Sequence, residues 1–205
     1  MNIIEMNHTF PNRLQKRRTT KKLIIHHTAS HDVDAHQIHG WHLDRGWNGI
    51  GYHLVIRMDG SVERGRPIDT VGAHAQGHNS DSIGIALTGM LQNTPPTEVQ
   101  INALVDVTKD IFSQFGELEI GGHRDYGTTT CPGDMFPMEE YKGMVKSEVK
   151  VQINGRDVPI SSRIVGGRTE LLLDGKWVQM RALSELLGAR LEWNGSTKTA
   201  NMIVR

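Results

Sequence analysis

A single cysteine, Cys131, stands in 205 residues, so no intramolecular disulfide framework exists. The thiol is left for a metal, for nucleophilic work or for plain burial. Aromatic residues make up only 5% of the chain and apolar residues 37%, enough for a core with little to spare. No apolar run approaches about 18 residues, which excludes a membrane-spanning helix. The opening MNIIEMNHTF lacks the apolar stretch of about 7–15 residues that a secretory signal needs. The chain therefore reads as made in the cytoplasm without a signal peptide and without membrane insertion. Formal net charge is zero, so no global attraction to nucleic acid is expected. One local excess stands out: Arg13 to Lys22, RLQKRRTTKK, holds six cations and no anion. It reads as a solvated N-terminal arm, with contact to an anionic polymer as the lesser option.

Strands and helices alternate through the first two thirds. Leu23 to His26 is a short apolar run that delivers a histidine to a strand end, where open sheets place their chemistry. Asp32 to His42 suits a short helix, N-capped by Ser30 or Asp32 and ended near Arg45-Gly46. Gly51 to Met58 alternates as a strand, with Tyr52 and His53 on opposite sides, and Asp59-Gly60 turns it into Ser61 to Arg64. Ser82 to Thr88 reads as a strand whose glycine permits close approach. A long helix follows, with Thr94 as N-cap, Pro95 at its first position and Gly116 at its end. Leu118 to Ile120 is a strand running into GGHRD, and Pro137 to Val145 is a last helix.

Beyond Ser147 the pattern changes to short strands and dense turns: Val149 to Ile153, Asn154-Gly155, Val158 to Ile160, Gly166-Gly167, Leu171 to Leu173 and Asp174-Gly175. A short helix over Arg181 to Leu187, closed by Gly188, precedes Arg190 to Trp193 and Thr199 to Val204, which Asn194-Gly195 joins. This predicts a second, smaller α+β domain.

His123 and Cys131 lie eight apart across a loop with Gly127 and three threonines, and a strand-end histidine is available to join them. Two imidazoles and a thiolate are a sufficient set for a zinc site with one position open. The tandem His26-His27 leaves the third ligand ambiguous, because strand neighbours point to opposite faces. His36, His39 and His42 recur every third residue on a helix, but their polar neighbours favour a solvated or groove-lining face. His53, His74 and His78 read as structural or substrate-contacting.

Four ordered motifs, LIIHHTAS, RGWNGIGYHLVIRMDGSVERGRP, GAHAQGHNSDSIGIALTG and GHRDYGTTTCPG, resemble the zinc amidase family of phage lysins and peptidoglycan-recognition proteins over about 120 residues. The resemblance implies an α/β fold with a central mixed sheet flanked by helices. It also implies hydrolysis of the amide between N-acetylmuramic acid and L-alanine in bacterial peptidoglycan. Residue by residue, it carries zinc binding to His26, His123 and Cys131, resolving the tandem pair toward His26 and leaving His27 structural. It carries catalytic roles to Tyr52 and Thr129. Cys131 favours a hydrolase over a recognition module with structural zinc, and Cys131 with Tyr52 disfavours a cytoplasmic recycling amidase. Without a signal peptide, a phage or prophage endolysin acting on the cell wall is the implied setting.

The expected domains are 1–146, the amidase with its arm 1–20, and 147–205, an accessory domain. The tail is similar to the copper amine oxidase N-terminal-like, or stalk, domain through its NG turn, GGRTELL, MRALSELLGA and EWNGSTKTA. It holds no His or Cys, so it reads as non-catalytic, with wall binding as its implied role and a spacer or dimerisation role close behind.

Overall fold

The computed structural model describes residues 2–146, 150–158, 162–165, 168–173, 176–194 and 199–204. The chain divides into two compact units, Met1–Lys142 and Gly143–Arg205. The boundary expected near Ser147 lies outside the described residues. So do the turns at Gly166-Gly167 and Asp174-Gly175, the Gly195 half of Asn194-Gly195, and the strand ends at Val149 and Ile160.

In the first unit, β1 (Lys22–His27), β2 (Leu54–Ile56), β3 (Val62–Arg64), β4 (Ser82–Leu87) and β5 (Glu119–Gly122) form one sheet in the order β3-β2-β4-β1-β5. The four strands β2, β4, β1 and β5 are parallel and β3 is an antiparallel edge, so the sheet is mixed. Helix α1 (Ala35–Asp44) lies between β1 and β2, α2 (Glu98–Phe115) between β4 and β5, and α3 (Met138–Lys146) follows β5; β2, β3 and β4 succeed one another without a helix, where the sequence suggested alternation. Strands β1 and β4 are continuous buried runs, with Leu23, Ile24, Ile25, Ile83, Ile85, Ala86 and Leu87 all at zero exposure. That pattern belongs to strands covered on both faces.

Helix α1 starts later than expected. Asp32 is held by Arg57 through two bonds of 2.9 Å and by the Thr88 hydroxyl at 2.6 Å. Asp34 is the residue left to cap, accepting from the Gln37 N–H at 2.8 Å. Helix α2 also starts later, because Thr97 and Gln100 make a reciprocal capping box that Thr94 has no partner to match. Gly116, at φ 81°, closes it as expected.

The strand expected over Gly51 to Met58 pairs regularly only at Leu54–Ile56. Before it, backbone bonds go to separate partners: Gly51 O accepts from Ala73, Tyr52 O from Arg66, and His53 N–H donates to Gly84 O. The chain passes so close to Ala73 that a Cβ on Gly51 would lie 2.0 Å from its carbonyl oxygen.

The basic run is not a free solvated arm. The Arg17 guanidinium donates to the carbonyls of Thr70 and Ile68 at 2.8 and 2.7 Å, Lys16 pairs with Asp69, and Lys22 pairs with Asp81 at 2.6 Å. Arg13, Lys16, Arg18 and Lys21 are nonetheless exposed, as the composition suggested; what it did not show is that aspartates pair with Lys16 and Lys22 and that carbonyls hold Arg17.

The second unit contains β6 (Lys150–Ile153), β7 (Arg156–Val158), β8 (Ser162–Val165), β9 (Arg168–Leu173), β10 (Lys176–Gln179), α4 (Met180–Leu186), β11 (Arg190–Asn194) and β12 (Thr199–Ile203). Its sheets run β10-β9-β8 and β11-β12-β6-β7. Val151, Leu171, Met180, Ala200 and Met202 form its core. The strand expected at Val158 to Ile160 is β7, two residues earlier, because Asn154 and Gly155, both at positive φ, turn the chain back at once. Among the described residues no helix is long and apolar enough to cross a membrane.

Removing the α2 cap with Thr97→Ala is expected to cost about 1 kcal/mol of stability, read as a lowered denaturant midpoint with an unchanged slope.

Candidate functional site

Strand β1 pairs in parallel with β5 so that Ile25 lies opposite Gly122. The next residue in each segment is a histidine, His26 still on β1 and His123 just past the end of β5, so the two stand side by side. His123 opens a short 3-10 turn, His123–Asp125, anchored where Asp125 accepts the Gly122 N–H at 2.8 Å. The following loop folds back onto this turn: Arg124 N–H donates to Cys131 O at 2.7 Å, and Cys131 N–H donates to Thr129 Oγ1 at 3.2 Å. One ligand atom from each of His26, His123 and Cys131 lies within 4.8 Å of the others, a group able to hold a metal ion.

His27 faces away, as strand alternation requires. Its Nδ1 accepts the Leu91 N–H at 3.1 Å, while its own backbone N–H donates to Cys131 Sγ at 3.4 Å. Burial, reinforced by His123, holds the His26 imidazole well below its ordinary pKa. Burial lowers His123 in the same direction, so both rings present lone pairs at neutral pH. Burial pushes the Cys131 thiol up to about 11, against the His27 N–H and Arg124, which favour the thiolate.

Tyr52 stands beside the cluster, its ring 5.1 Å from that of His26. Burial, and then the neighbouring Cys131, raise its phenol above the usual range, so it keeps its proton. A cleft of about 450 Å³ is lined by Thr28, Trp41, His42, Arg45 and Tyr52. A second of about 770 Å³ is lined by Trp47, His74, His123, Tyr126 and Thr129.

Three further residues shape the approach to Tyr52. His42 lines the first cleft, as the groove-lining reading allowed, but His39 is buried rather than solvated. The incoming segment offers unpaired N–H groups, and His39 and His42 accept them from Ile50 and Gly51 at 3.2 and 3.0 Å. Arg66, which sequence reading did not single out, donates to the carbonyls of Ile50, Val71 and Asn48 at 2.6, 3.0 and 3.1 Å. Nothing in RGRP marks an arginine as an internal clamp. His53 is structural, bonded to Gly84 N–H and Thr70 O.

The sequence pattern of the N-acetylmuramoyl-L-alanine amidase family matches residues 16–134. The chain belongs to this family. The amidase is 36% identical over 125 residues to an endolysin of Enterobacteria phage K11, covering 57% of this chain and 83% of that protein. It is 37% identical over 123 residues to peptidoglycan-recognition protein SC2 of Drosophila melanogaster, covering 54% and 66%. Its fold matches the solved endolysin amidase LysCS of Clostridium intestinale at a TM-score of 0.69 and 34% identity, over 72% of this chain and 97% of that one. Its reaction is hydrolysis of the N-acetylmuramoyl-L-alanine amide, and the cluster and both clefts lie wholly in the amidase unit.

Proposed function

We propose that the protein is a zinc-dependent endolysin-type amidase acting on the bacterial cell wall, with His26, His123 and Cys131 as zinc ligands. Tyr52 and Thr129 are its catalytic side chains. The convergence of two neutral imidazoles and a buried thiol at the end of β1, beside a protonated phenol, carries this reading. Two nitrogens and one sulfur suit zinc and do not suit calcium or magnesium, which ask for oxygen. Bound there, zinc supplies Lewis acidity, polarising a carbonyl and making water nucleophilic near neutral pH.

The rest is the work of the chain's own groups. Tyr52 keeps its proton and donates to the oxygen on which charge develops as the amide is attacked. Thr129 Oγ1 already accepts the Cys131 N–H, so its own hydrogen is free to point into the second cleft as a further donor. His27 N–H supports charge on Cys131 Sγ. The endolysin setting rests on similarity to phage endolysins over most of their length. A recognition module needs no thiol here, and the full donor set favours hydrolysis.

The unit after Lys142 has a core of its own and lies beyond the residues the family pattern matches. We assign 147–205 as a stalk-like accessory domain, similar to the copper amine oxidase N-terminal-like module, with a wall-binding role.

Cys131→Ala is expected to abolish zinc binding and release of L-alanine amino termini from purified peptidoglycan together. Tyr52→Phe should retain zinc and lose on the order of 10²–10³ in turnover. A Cys131→Ala protein with normal activity sinks the zinc assignment. Because zinc must displace the Cys131 proton, which burial pushes up to about 11, and burial keeps both imidazoles neutral, apparent zinc affinity should climb about tenfold per pH unit from pH 7 to 9. Chelator competition measures this, and a flat profile excludes thiolate ligation. Truncation after residue 146 should weaken binding to intact sacculi while leaving turnover of soluble muropeptides unchanged; equal sacculus binding removes the wall-binding role.

A further inference from the structure

His74 occupies a slot cut for its ring. A Cβ on Gly84 would lie 2.5 Å from the His74 Cγ, and one on Gly72 would lie 2.5 Å from its Cδ2. Gly84 sits on β4 directly opposite Ile24 of β1, so the sheet is bare where the imidazole crosses it. His74 is buried, 8% exposed, and its ring stands edge-on to that of His26, centroids 5.0 Å apart.

Its hydrogen bonds settle where each proton sits. The Ser82 hydroxyl, fully buried, donates its only hydrogen to His78 O at 2.6 Å. A hydroxyl so committed faces His74 Nε2, at 3.3 Å, as an acceptor, which makes Nε2 the protonated nitrogen of His74. In a neutral imidazole the other nitrogen, Nδ1, then carries a lone pair. The atom in front of it, at 3.0 Å, is His26 Nε2, which must be the donor. That leaves His26 Nδ1 with the lone pair, and Nδ1 is the ring atom 3.7 Å from Cys131 Sγ.

We infer that His74, oriented by Ser82, is a positioning residue that locks His26 in the tautomer offering Nδ1 to the metal. The inference rests on the zinc reading above. Ligating histidines commonly give their second N–H to a carboxylate, carbonyl or water. Here the acceptor is a second imidazole, which orients His26 without adding negative charge, so Cys131 is the one anionic member of the ligand set.

The test compares the full chain as wild type, His74→Leu, His74→Asn and Ser82→Ala. Leucine fills the slot without an acceptor; asparagine returns a carbonyl oxygen close to the place of Nδ1. Long-range proton–nitrogen correlation spectra of the metal-free proteins report which His26 nitrogen is protonated, and competition with a chromogenic chelator gives the zinc Kd. Wild type and His74→Asn are expected to show His26 protonated at Nε2 with similar affinities. His74→Leu should show mixed tautomers and a Kd raised about 10–100-fold. Ser82→Ala, which leaves the slot intact, should loosen the tautomer preference and raise Kd less, and it decides the matter if His74→Leu does not fold. A wild-type His26 protonated at Nδ1, or a tautomer and Kd unmoved in the folded variants, overturns the inference. A wild-type protein that binds no zinc instead overturns the zinc reading, while the His26 tautomer still reports on His74, so the two failures are told apart.

Discussion

The parallel pairing of β1 with β5 places Ile25 beside Gly122 and so obliges His26 and His123 to emerge together from neighbouring strands. Side chains alternate along a strand, so a slip of one residue would send His27 to the cluster and His26 to the far side. The register is held by apolar burial: Leu23, Ile24 and Ile25 are wholly enclosed between β4 and β5. A register error would also drive the polar pair into the places of those residues. The geometry of the cluster is thus a by-product of hydrophobic packing in the sheet.

Burial of so many imidazoles would be costly without partners, and the fold meets that cost with backbone groups. His27, His39, His42 and His53 each accept a backbone N–H through Nδ1. Burial is the first cause of the lowered pKa in each of them, with His42 at about 4 and His53 at about 3. Neutral rings serve two ends at once: His39 and His42 satisfy irregular backbone leading to Tyr52, and all four keep cationic charge away from the cluster of His26, His123 and Cys131. Arg66 holds the same segment through three carbonyls. The tyrosine is therefore positioned by polar clamps instead of a continuous strand ladder.

Several elements were legible because their signals are local. The apolar runs of β1 and β4, the Asp59-Gly60 turn, Gly116 at the end of α2 and the Asn154-Gly155 turn all depend on residues close in sequence. The later starts of α1 and α2 show two different limits. Thr97-x-x-Gln100 was present in the sequence and outranks Thr94 by its reciprocal bonds. Asp32 lost its capping role to Arg57, twenty-five residues away, and no local pattern announces that. The docking of the basic run was illegible for the same reason, since its counter-charges and carbonyl partners lie in the loop around Ile68 to Asp81.

By itself, the sequence determined the residue types at the site, the order of the motifs and the family they belong to, because short motifs carry their own chemistry. Tertiary structure alone decided the rest. It shows what His27 bonds to, the Leu91 N–H, after the motif resemblance had already implied His26 for the cluster; it turns His39 and His42 inward and places His74 behind His26 in a slot left by Gly72 and Gly84. These are decisions of register and of hydrogen-bond satisfaction between segments distant in the chain. They arise only when buried polar atoms must each find a partner, a requirement that no stretch of sequence meets alone.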